Sequence, residues 1–98
     1  SAAQNDELVY SLTVPANATN LVFNTTGAAG EDADLSVIFD GETLCESAGA
    51  TANESCTIPT PAAGVYTAIV LAYSALTNQS IVGSYTVQDT LFRSGFEQ

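Results

Sequence analysis

The sequence predicts an all-β domain, an antiparallel β-sandwich of two sheets with jelly-roll-like connections. Three observations carry that expectation. Apolar and polar residues alternate with a period of two in one segment after another, and clusters of Gly, Pro and Asn interrupt them at intervals of about ten residues. Hardly any stretch repeats its apolar residues at the spacing of a helix. With 98 residues, the chain has room for one domain and one modest core.

The elements follow in order. Leu8, Tyr10, Leu12 and Val14 alternate with Val9, Ser11 and Thr13 until Pro15 stops the strand, and Asn17 to Asn20 reads as a turn. Leu21 to Thr26 forms the second strand, ended by the small residues Gly27 to Gly30. Leu35, Val37 and Phe39 then alternate with Ser36 and Ile38, and Asp40-Gly41 is a turn signal. Glu42 to Thr57 is weaker and holds short strands near the cysteines, with Ser55 to Ile58 as one of them. After Pro59, Pro61 and Gly64, the run Val65 to Tyr73 is the longest β-like segment. Its continuity predicts a central strand buried on both sides, with Tyr66, Ala68 and Val70 on one face. Ser80 to Val87 is the last clear strand, placing Ile81, Tyr85 and Val87 together. The expected core is Leu12, Leu21, Phe23, Leu35, Val37, Tyr66, Val70 and Tyr85. The domain is expected to span 1–87, leaving 88–98 as a C-terminal tail.

Composition narrows the function. Eleven acidic residues face one basic residue, Arg93, for a net charge of -10. Nucleic acid is disfavoured because phosphate binding needs Lys and Arg, and anionic membranes are disfavoured for the same reason. The longest apolar stretch, Ala68 to Tyr73, falls far short of the ~20 residues of a spanning helix. No export leader opens the sequence, so such a signal is expected to have been removed or to lie further upstream. Cys45 and Cys56 flank a polar segment in an acidic, Lys-free chain, which reads as a disulfide across a loop and points to a secreted protein. Zinc needs three or four N or S ligands, and two cysteines without histidine do not supply them.

Catalysis is not expected. Nucleophilic mechanisms need a base near neutral pKa, and the chain has neither His nor Lys. The candidate metal ligands are Glu31, Asp32 and Asp34, with Asp6 (and Glu7 or Asp40) able to join only if folding brings them near. Clustered carboxylates with turn carbonyls suit calcium, and their plainer role is to cap and solubilise a strand. Tyr73 and Tyr85 are candidate ligand-binding residues, since an aromatic ring with a polar tip suits protein or carbohydrate surfaces. Asn53 and Glu54 read most simply as turn residues.

Several ordered motifs resemble the bacterial pre-peptidase C-terminal domain, which is related to collagen-binding domains of collagenases. They are Tyr10-Ser11-Leu12-Thr13-Val14-Pro15-Ala16, Asn20-Leu21-Val22-Phe23, Asp32-Ala33-Asp34-Leu35, Cys45 with Asn53-Glu54-Ser55-Cys56, Gly64-Val65-Tyr66 and Ala72-Tyr73-Ser74. Glu31, Ser36 and Leu44 depart from the family pattern. The resemblance implies a non-catalytic accessory domain of a secreted bacterial hydrolase, a peptidase by preference, that assists secretion, folding or substrate attachment and is cut off during maturation in some cases. Its expected partner is the catalytic domain of the same polypeptide. Two other readings stand beside it: a module binding insoluble protein or polysaccharide, and a calcium-stabilised structural or adhesion domain.

Overall fold

A computed structural model of the chain describes residues 3–77 and 79–87. The expected tail 88–98, with Arg93, lies outside the described residues. Among the described residues there are seven strands: β1 (Glu7–Val14), β2 (Ala18–Thr26), β3 (Ala33–Phe39), β4 (Glu42–Ser47), β5 (Ser55–Ile58), β6 (Gly64–Ala72) and β7 (Ser80–Val87). They form a four-stranded sheet in the order β1-β6-β3-β4 and a three-stranded sheet in the order β5-β2-β7, antiparallel throughout. Among the described residues the chain is all-β. Only the β3–β4 connection stays within one sheet; every other connection crosses to the opposite layer, the jelly-roll-like habit expected from the turn spacing.

The hairpin that does stay in one sheet shows how local chemistry sets the fold. Phe39 pairs with Glu42 across Asp40 and Gly41, whose φ values are 53° and 79°. Two consecutive positive φ angles are the signature of a type I′ turn, and Asp-Gly is among the few dipeptides that accept it at little cost. The turn between β1 and β2 is shorter than expected. Its residues are Pro15 to Asn17, and β2 already begins at Ala18, continuing through a bulge between Thr19 and Val22 where Asn20 has a φ of 53°. Asn tolerates that left-handed conformation, so a residue that looks like a turn former serves as a bulge inside a strand.

The core lies between the sheets. Leu21 and Phe23 from β2 face Leu35 and Val37 from β3 and Tyr66, Ala68, Val70 and Ala72 from β6, all buried. Phe39 stacks on Tyr66 with ring centroids 4.4 Å apart, and Tyr10 meets Phe23 edge-on at 6.3 Å. Leu12 and Tyr85, expected in the core, pack against it while half-buried, and Val87 is exposed at the end of β7. The expectation that β6 is buried on both sides is also corrected. It is central in its sheet, but only its inner face is fully covered: Thr67, Ile69 and Leu71 are half-buried and Val65 is 55% exposed. A run of β-branched and apolar residues looks the same whether one face or both are covered.

Candidate functional site

Three of the candidate residues, Asp32, Asp34 and Tyr73, gather at one end of the four-stranded sheet, and hydrogen bonds explain how. Asp32 precedes β3, and its carbonyl accepts from the backbone N–H groups of Tyr73 and Ser74, each at 3.1 Å. The N–H of Asp32 donates in turn to Ser74 Oγ at 2.9 Å. These bonds continue the β3–β6 ladder past Ala33 and Ala72 and hold Tyr73 beside the acidic pair. Alternation then puts Asp32 and Asp34 on one side of β3, as expected from the sequence.

Asp32, Asp34 and Tyr73 line an open hollow of about 360 Å³ together with Ala48, Gly49 and Ala50. Such a volume lies within the range of small-ligand pockets. Tyr73 is 62% exposed, while Oδ1 of Asp32 is buried and has no donor among the described residues. Burial pushes the Asp34 carboxyl above the ordinary aspartate range, and the neighbouring Asp32 and Glu54 carboxylates push it the same way.

Glu54 is the residue that the sequence reading missed. Rather than a turn residue, it is a nearly buried acid, only 8% exposed, whose carboxylate accepts from the Ser47 hydroxyl and, at 3.1 Å, from the N–H of Gly49. It thereby fixes the Ala48–Ala50 wall of the hollow. Its own backbone N–H donates to Thr25 Oγ1 at 2.8 Å, and that buried hydroxyl donates to the Ala52 carbonyl at 2.9 Å. The spacing of Asn53 and Glu54 from Cys56 was the available signal, because the bridge pins this segment against β2.

The four proposed metal ligands do not converge. Glu31 is engaged by Thr77, whose hydroxyl and N–H donate to Oε2 at 2.8 and 3.2 Å, and this holds its carboxyl below the ordinary glutamate value. Asp6 accepts from the Ala3 N–H at 3.3 Å, and Asp40 belongs to the β3–β4 turn. Among the described residues no three His, Cys, Asp or Glu side chains come close enough to share an ion. A calcium ion takes six to eight oxygens, so the residues present at the hollow do not match its demand. Nor are the two tyrosines neighbours, since Tyr85 lies on β7 in the other sheet, half-buried against the core.

The cysteines form the expected bridge, Cys45 to Cys56, with Cα atoms 6.0 Å apart. It does more than close a loop. Cys45 lies on β4 and Cys56 on β5, the edge strands of different sheets, so the bridge ties the two layers along one side. The neighbouring Asn53-Glu54 segment and the order of strands around it agree with one known sequence pattern. The bacterial pre-peptidase C-terminal domain matches residues 6–74, more than half of the chain. The chain belongs to that family. Pre-peptidase C-terminal domains are non-catalytic accessory domains of bacterial peptidases. No curated protein matches the chain. Within the matched span lie the hollow's Asp32, Asp34 and Tyr73, both cysteines and the buried Glu54. Among the described residues no helix is long and apolar enough to cross a membrane.

Proposed function

We propose that this pre-peptidase C-terminal domain is a non-catalytic accessory module of a secreted bacterial peptidase, assisting its secretion, folding or substrate attachment and removable on maturation. The family match over residues 6–74 carries the reading. Composition supports it: a chain with no His or Lys lacks the usual general bases, and an inter-sheet disulfide suits an oxidising compartment. Its partner is the catalytic domain of the same polypeptide.

The second reading, a module holding insoluble protein or polysaccharide, is favoured by one observation, the exposure of Tyr73 beside a hollow. Incubating the domain with insoluble collagen, chitin and cellulose separates the two. Retention on any of these polymers supports attachment as the role, and passage through all three leaves secretion or folding. A calcium-stabilised structural or adhesion domain is the third reading, motivated by the paired carboxylates of Asp32 and Asp34, which would need further oxygens from outside the hollow to satisfy the ion. It requires a melting temperature that rises with calcium and falls with chelator; an unchanged value removes it.

A further inference from the structure

We infer that the hollow between Asp32, Asp34 and Tyr73 is a binding site for an organic cation, the alkylammonium or guanidinium head of a basic side chain. Two carboxylates, those of Asp32 and Asp34, give the head its counter-charge. A charge-assisted N–H to carboxylate bond is about twice as strong as a neutral one, so these carboxylates are the strongest acceptors that the lining offers a cationic head. Tyr73 supplies the second, chemically independent element. An aromatic face kept 62% exposed beside carboxylates attracts an ammonium or guanidinium head through its ring quadrupole. Ala48, Gly49 and Ala50 complete the walls with small side chains that suit the methylene stem of Lys or Arg.

The same lining discriminates against calcium, which needs six to eight oxygens and gains nothing from a phenol ring or from alanine methyl groups. It also makes the wall a working part. Glu54 draws the Gly49 N–H onto its own carboxylate, so the loop facing Tyr73 is held from beneath by a residue that does not itself line the hollow. Glu54 is a positioning residue in this scheme.

The inference rests on the accessory reading in one respect, that the cation arrives on a polypeptide. The test therefore has separate arms. Amide NMR spectra of the domain are followed during addition of n-butylammonium, N-acetyl-lysine methylamide, its norleucine analogue, a Lys-containing oligopeptide, and calcium chloride. The expected result is saturable shifts at Asp34, Gly49 and Tyr73 with both cations and the peptide, with Kd on the order of 1 mM for the small ligands. Norleucine produces none. Tyr73→Phe retains binding, Tyr73→Ala weakens it about threefold, and Asp34→Asn weakens it about tenfold, while the spectra themselves report that each variant is folded. Equal response to norleucine, no response to any cation, or response to calcium alone overturns the site. Binding of the free cations without the oligopeptide keeps the site and rejects the polypeptide source.

Discussion

Cys45 and Cys56 join β4 of one sheet to β5 of the other, so a side-chain covalent link between the layers runs between two edge strands. Among the described residues, β4 and β5 each have one strand neighbour, and the bridge compensates for the pairing missing on their outer sides. Replacing both cysteines with Ala is expected to lower unfolding stability by about 3 kcal/mol, the loop-closure value for a ring of this size. Urea unfolding followed by circular dichroism measures it. The native spectrum stays that of a β protein, because neither sheet owes its hydrogen bonds to the bridge.

Gly64 opens β6 at a φ of 145°, and a Cβ there would come within 2.7 Å of the Phe39 ring, which is stacked on Tyr66. Gly64→Ala therefore combines backbone strain with a clash in a packed aromatic pair. A loss of about 1–3 kcal/mol is expected in the same unfolding experiment.

Glu54→Ala removes the acceptor shared by the Ser47 hydroxyl and the Gly49 N–H. Leaving those donors without a partner in a part-buried site is expected to cost about 1–3 kcal/mol. Hydrogen exchange is expected to accelerate at Gly49 while β1 and β6 keep their protection. Uniform acceleration across both sheets would mean that Glu54 holds the whole fold rather than one loop.

Asp34 and Glu31 respond oppositely to pH. Asp34 binds its proton more tightly when folded than the ordinary value of 3.8, because burial and the Asp32 and Glu54 charges disfavour its carboxylate. The native state thus holds more protons in the window between 3.8 and the raised value, stability falls as pH rises through it, and the penalty persists at neutral pH. Asp34→Asn is expected to raise the melting temperature at pH 7 and to leave it unchanged below about pH 3. Glu31, held below 4.5 by Thr77, contributes stability above that value which disappears as the pH drops through its lowered pKa. Glu31→Gln is expected to lower the melting temperature at pH 7. A gain in stability from Asp34→Asn together with weaker cation binding would mark a position kept for function at the expense of stability.

The strands were legible because their chemistry is local. Alternation from Leu8 to Val14 and the Asp40-Gly41 turn each specify their conformation without reference to the rest of the chain, and both are found in place. The site was legible only in part. The Asp32-Ala33-Asp34 spacing puts two acids on one side of a strand, but Tyr73 reaches them through backbone bonds between segments about forty residues apart in sequence, which no local pattern reports. Glu54 was hidden for a related reason. A Glu next to Asn and Ser resembles a solvated turn until the bridge and Thr25 fold that segment inward. Leu76 was missed likewise: it is buried at 2% exposure within a loop, where no periodicity announces it.

The most direct test of the accessory reading compares the parent peptidase with and without this domain on a short soluble peptide. Equal kcat/KM for the two forms, with no cleavage by the isolated domain, is the result expected of a module that takes no part in the chemistry. Peptide cleavage by residues 1–98 alone, or a hundredfold loss of kcat in a correctly folded truncated enzyme, would contradict it.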